Sequence, residues 1–166
     1  MKNKFYKWRK NIVLRVMEFA PKIVRWIHPA KKWPYTLADY RNFPKGTLAK
    51  DIANFLDKQG FDFLPNGHHH DARHVVLGYN ATVSGELRMQ AFLLGNCLLW
   101  RSIGVGGLIF GCVMLPELWT TLKQDFIRGW KAKKLTDVAW VNLLAVSTNE
   151  LKRRFAITDL GGIKYS

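Results

Sequence analysis

Apolar residues return every three or four positions along most of this chain, the period of an α-helix rather than of a strand. Phe5, Trp8, Ile12, Val16 and Phe19 do so across residues 4–20, with Lys7, Arg9, Lys10 and Arg15 among them. That pattern predicts an amphipathic helix, closed by Pro21. Residues 22–28, with Ile23, Val24, Trp26 and Ile27, read as a further short helix. Pro29, Pro34, Pro44 and Gly46 then punctuate a connection. Thr47 is a predicted N-cap, and Leu48, Ile52, Phe55 and Leu56 give one apolar face up to Gly60.

After a loop over residues 61–67, a helix is expected at 69–77 and another from Glu86 to about Trp100. Gly78, Tyr79, Asn80, Ser84 and Gly85 between them are turn and cap material. Residues 102–115 are apolar and carry Gly104, Gly106, Gly107 and Gly111, which allow close helix approach or leave room for a ligand. Neither of these uncharged runs reaches the ~18–20 residues of a membrane span. Joined, they would bury Asn96 and Arg101 in the bilayer, so buried helices are expected instead of a spanning one.

Pro116 suits the first turn of a helix over residues 116–134. Leu115, Leu118, Trp119, Leu122, Phe126 and Trp130 form its apolar stripe, expected to pack in the core, and Lys131, Lys133 and Lys134 suit its negative end. Thr136 is expected to cap a last helix with Asp137 in its first turn. Trp140, Leu143, Leu144, Ser147 and Leu151 would face inward from it. Arg153 and Arg154 precede a tail ending at Gly161 and Gly162. No strand alternation persists and no repeat is visible, so the fold class is all-α: a compact bundle of about six to eight helices. Residues 1–34 are read as a basic amphipathic N-terminal segment, and 35–166 as a single helical metal-binding domain.

Charge changes this picture. Twenty-six Lys and Arg face twelve Asp and Glu among the 166 residues, a net +14. Ten of the basic residues and one acid, Glu18, fall within residues 1–34. Basic residues with Trp and Phe on one amphipathic segment suit an anionic membrane surface. No nucleic-acid-binding motif accompanies the charge, so nucleic acid is not expected as a partner. Cys97 and Cys112 sit in apolar stretches and read as small buried residues, not as a disulfide framework. No phosphate loop, Gly-x-Ser-x-Gly elbow or zinc-knuckle cysteine pair occurs, so nothing points to a nucleotide cofactor.

Candidate chemistry gathers in one stretch, His68-His69-His70-Asp71-Ala72-Arg73-His74, followed by Glu86. At ~100° per residue, His70 and His74 lie one turn apart on the same helix face, with Asp71 beside them. Imidazole and carboxylate ligands together suit a borderline divalent cation, zinc first. A straight helix would carry Glu86 roughly 18 Å beyond His74, but the turn residues between allow a second helix to bring it back. The four residues would then form a metal site across a helix-turn-helix. The plainer alternative is an exposed polar turn with Asp71 as an N-cap. Of the three tandem histidines, only His70 has the four-residue relation to His74. Glu86, Gln90, Leu93 and Cys97 share one face of the following helix, polar at the metal end and apolar beyond it.

His70-Asp71-x-x-His74 with Glu86 after eleven residues resembles the signature of the coenzyme Q biosynthesis protein 4 family. Phe43-Pro44-Lys45-Gly46-Thr47-Leu48, Phe55-Leu56-Asp57, Leu77-Gly78 and Gly85-Glu86 resemble its flanking blocks, from about Tyr40 to about Trp130. The N-terminal segment and the C-terminal third match no family motif. The resemblance implies a component of ubiquinone (coenzyme Q) biosynthesis acting on a prenylated quinone intermediate, whose tail would run along Gln90, Leu93 and Cys97. It implies oxidative decarboxylation at ring carbon 1, with a divalent metal as Lewis acid. It also implies a peripheral place on a membrane: the cytoplasmic face in a bacterium, the matrix face of the inner membrane in a mitochondrion. Other quinone-biosynthesis proteins are the expected partners, and a homodimer is compatible with it. The alternative function is a non-catalytic prenyl-lipid-binding scaffold with a structural metal.

Overall fold

The computed structural model describes residues 2–27, 33–63, 67–96 and 104–160. Among the described residues the fold is all-α: α1 Lys2–Ile27, α2 Leu37–Arg41, α3 Leu48–Gln59, α4 His68–Leu77, α5 Val83–Gly95, α6 Gly104–Met114, α7 Trp119–Lys131 and α8 Thr148–Arg154, with single 3₁₀ turns at Pro116–Leu118 and Trp140–Leu143. No described helix is long and apolar enough to cross a membrane. The chain divides into two compact units, Met1–Pro29 with Asn80–Lys134, and Ala30–Tyr79 with Leu135–Ser166.

In the first unit, α1 runs past Pro21 without a break. Proline removes one amide from the helical ladder, and the bonds on either side continue. The apolar stripe read for α1 also turns the other way. Phe5, Trp8 and Val16 are exposed, while Val13 is fully buried. Arg9 anchors the helix, donating to the Met114 carbonyl at 2.7 Å and pairing with Glu117.

The helix pair α5 and α7 carries a second correction. Trp119, Phe126 and Trp130 face solvent; the buried face of α7 is Leu122, Asp125 and Gly129. Two observations explain the rotation. Asp125 accepts from the Arg88 guanidinium of α5 at 2.6 and 3.2 Å, with both side chains nearly fully buried. The backbones also touch: a Cβ on Gly129 would lie 2.0 Å from the Phe92 carbonyl oxygen, and one on Gly95 2.0 Å from that of Phe126. Close approach through glycine leaves no room for large side chains on that face, so they turn outward. A Cβ on Gly111 of α6 would lie 2.3 Å from the Leu87 side chain of α5, so at this position the glycine-rich helix serves packing. The helix expected to reach Trp100 has its C-cap at Asn96, whose amide donates to the Gly129 and Lys133 carbonyls at 3.0 and 3.1 Å. Trp100, Arg101 and Cys97, and the tail residues Gly161 and Gly162, lie outside the described residues.

The second unit follows its local signals more closely. Thr47 caps α3, accepting from the Lys50 amide, and Gly60 ends it at φ 68°. Leu48, Ile52 and Leu56 are buried on one face. The continuous helix expected after Thr136 is broken instead. Asp137 sits at φ 65°, and Ser147 caps the short α8. The Val146 and Leu144 carbonyls accept from Leu48 and Ala49 at 2.9 and 3.0 Å, and the Thr148 hydroxyl donates to Asp51 at 2.7 Å. Those carbonyls satisfy the free amides at the start of α3, so they are not available to a helix of their own.

Candidate metal centre

Helix α4 has Gly67 at its N-cap with no side-chain cap, so Asp71 is a residue of the first helical turn and not the cap itself. His74 lies one turn beyond His70, and their rings meet edge to face at 4.6 Å. The two differ in setting: the His70 side chain is about half exposed, and His74 is buried.

His74 is held on two sides. Its Nδ1 lies 3.1 Å from the Tyr79 carbonyl oxygen. A carbonyl only accepts, so Nδ1 carries the proton and Nε2 carries the lone pair that a cation needs. Phe55 of α3 stacks on the other flank of the ring, at 5.3 Å and 19°. The Tyr79 carbonyl is presented there because α4 stops at Gly78, φ 80°, whose amide and that of Tyr79 both bond to the His74 carbonyl. The sequence reading took Phe55 for a core residue and Tyr79 for turn material. The glycine that opens Gly78-Tyr79-Asn80-Ala81-Thr82 was the available signal for the second.

Thr82 caps α5, accepting from the Gly85 amide at 3.2 Å, so this helix starts at Val83, ahead of the predicted Glu86. Gly85 has no alternative: a Cβ there would lie 2.1 Å from both the Asn80 carbonyl and its side-chain oxygen. This tight start places Glu86 in the first turn of α5, half-buried. His70 and His74 present two imidazoles from one face of α4, and Glu86 stands in the first turn of α5. Two imidazoles and one carboxylate are a donor set that fits a divalent cation.

Asp71 follows His70 on the same helix. Its Oδ1 is 3.8 Å from His70 Nδ1, too far for a hydrogen bond. Its Oδ2 is buried without a hydrogen-bond partner, an acceptor that suits a cation or a proton donor nearby. Asp71 also acts on Tyr40. Burial pushes the Tyr40 hydroxyl up to about 12, a bond from Trp33 opposes this, and the Asp71 charge adds to the rise.

The other histidines go elsewhere. His68 stacks on Trp33 at 4.1 Å and meets Phe63 at 4.7 Å, and burial holds its pKa below the ordinary value. His69 is exposed on the edge of Trp33, its pKa lowered by partial burial and then by Arg73. Of the face predicted for a prenyl tail, Leu93 is buried in α5. Gln90 is half-buried, with its Oε1 enclosed and unpartnered; Cys97 is not described.

No family model and no curated protein matches this chain. Among solved structures, it is similar to a Nostoc punctiforme protein described as a candidate ubiquinone biosynthesis protein. The two are 23% identical with a TM-score of 0.61, over 93% of this chain and 82% of that one. The likeness is one of fold.

Proposed function

We propose that this protein takes part in ubiquinone (coenzyme Q) biosynthesis, replacing the carboxyl group at ring carbon 1 of a prenylated benzenoid precursor by a hydroxyl. The observation that carries the reading is the pair His70 and His74 on one face of α4, with Glu86 opening α5, in the motif that resembles the coenzyme Q biosynthesis protein 4 family. The fold shared with the Nostoc protein supports it. His70, His74 and Glu86 would hold one divalent ion, with the buried Asp71 as a fourth oxygen ligand or as an acceptor beside it. When bound, such an ion supplies Lewis acidity to a carboxylate or phenolate oxygen.

The chain's own residues supply the rest. The Tyr79 carbonyl fixes the His74 tautomer, and Phe55 fixes its ring plane. Gln90, one helical turn beyond Glu86, presents a buried oxygen that would accept from a ring hydroxyl. Leu93 continues that face toward a prenyl tail. Carbon dioxide leaves the ring, and the new oxygen atom requires an external oxidant such as O₂.

The test is direct. Purified chain is supplied with a divalent metal, O₂, a reductant and a prenylated hydroxybenzoate, and the product is read by mass spectrometry. Loss of carbon dioxide with gain of one oxygen is expected, and it should disappear in Glu86→Gln. A folded His74→Ala chain that restores quinone synthesis in cells lacking the protein would replace this reading with the lipid-binding scaffold.

A further inference from the structure

Arginines that the fold encloses are given partners. Arg9 pairs with Glu117, Arg88 with Asp125, and Arg128 lies over the Phe92 ring at 5.1 Å. Arg73 differs. It is half-buried on α4, and its Nε is enclosed without an acceptor. Among the described residues no carboxylate, hydrogen bond or ring stands against it. Burial alone moves its pKa, downward, so no carboxylate of the fold acts on it. A guanidinium in that setting loses hydration and receives nothing in return. A charge kept at that cost, where solvent still reaches part of the residue, suits an anion from outside.

Its position on the helix narrows the choice. Arg73 follows His70 by three residues and His69 by four, so the three are neighbours on the surface of α4. The guanidinium charge reaches His69, whose pKa it helps to lower. An anion on Arg73 is therefore held beside His70, on the helix that carries the candidate metal centre.

We infer that Arg73 binds the ring carboxylate of the substrate and so selects substrate over product. A carboxylate offers two coplanar oxygens, which the planar guanidinium meets with two parallel N–H donors. It carries one charge, as Arg73 does. A phosphate monoester carries about 1.5–2 charges, and α4 has no second lysine or arginine to meet them. The reaction removes the carboxylate, so the product leaves Arg73 without its counter-charge and is held less tightly. The substrate class rests on the proposed function; the carboxylate contact requires neither a metal nor turnover.

Isothermal titration calorimetry of the whole purified chain, without added metal or reductant, is the test. The probes are a geranylated hydroxybenzoate, its primary amide and geranyl monophosphate. The acid should bind roughly ten-fold or more tightly than the amide, the difference a charge-assisted bidentate contact makes. Arg73→Met should lose that advantage and bind the amide as the parent does. Arg73→Lys should recover part of it, with the charge but without the fork. Without ligand, the urea midpoint of Arg73→Met should equal or exceed the parent's, because an unpaired buried charge is removed. A parent that does not bind the acid, or a folded Arg73→Met chain that binds it equally well, would overturn the inference. So would a loss confined to geranyl monophosphate, which would make Arg73 a phosphate group's partner. A midpoint well below the parent's would also overturn it, since the fold itself would then complete Arg73. The proposed function fails separately: a parent that binds the acid through Arg73 but releases no decarboxylated product keeps this inference and loses that reaction.

Discussion

The two units of this chain solve the same packing problem in opposite ways. Among the described residues, ten of the large exposed apolar side chains lie in the first unit, and only Tyr35 and Phe61 lie in the second. The first unit closes its interior with backbone contacts at Gly95 and Gly129 and with the buried Arg88–Asp125 pair. The α7 rings of Trp119, Phe126 and Trp130 are thereby left outside. The second unit closes with capped helix ends and stacked rings, Trp33, Tyr40, Phe63 and His68 among them. It carries eleven basic residues against eight acidic ones, a far smaller imbalance than in the first. One half of the chain is built with a surface that water does not suit; the other half positions histidines.

The sharpest way to break this comparison is Asp125→Ala. It leaves the Arg88 guanidinium buried without its carboxylate, which costs about 3–5 kcal/mol. Urea unfolding should show most of the stability lost. A loss within ~0.5 kcal/mol, the range of an ordinary surface change, would mean that Arg88 reaches water and that α5 and α7 are not held as described.

The second unit is tested through Tyr40. Its hydroxyl is raised to about 12 by burial in the folded chain, whereas an unfolded tyrosine releases its proton near the ordinary 10.0. The folded form therefore binds the proton more tightly, so the contribution is complete below pH 10 and is lost as pH rises toward 12. Urea midpoints of the parent should fall across that window, and those of Tyr40→Phe should fall less. Parallel curves for the two chains would show Tyr40 open to solvent.

The smallest effect is expected at Trp130. It lies on the stripe that periodicity assigns to the core, yet it is 69% exposed. Trp130→Ser should change unfolding stability by no more than ~0.5 kcal/mol, while burial of a tryptophan would make the cost about 3–5 kcal/mol.

What could be read from the sequence follows the same division. Signals confined to a few residues held in the second unit: Thr47 as a cap, Gly60 and Gly78 as stops, Leu48, Ile52 and Leu56 as one face. The four-residue spacing of His70 and His74 needed only a helix, and α4 supplies it. Predictions failed where a distant partner decided. Which face of α7 turns inward depends on Arg88, thirty-seven residues away, and on glycines that periodicity counts as neutral. The helix expected after Thr136 lost its carbonyls to the amides of Leu48 and Ala49. The hold of Phe55 on His74 joins two helices, and no spacing within one helix reveals it.

The central claim is that His70, His74 and Glu86 form one cation site, and metal analysis of the purified chain tests it most directly. After saturation with zinc and removal of the excess, the parent should retain about one ion per chain, as a site of two imidazoles and a carboxylate requires. His68→Ala and His69→Ala should retain it too, since their rings pack against or beside Trp33 instead. His74→Ala should retain none while keeping its circular dichroism spectrum. A parent that binds no ion, or a folded His74→Ala chain that binds as much as the parent, would contradict the account.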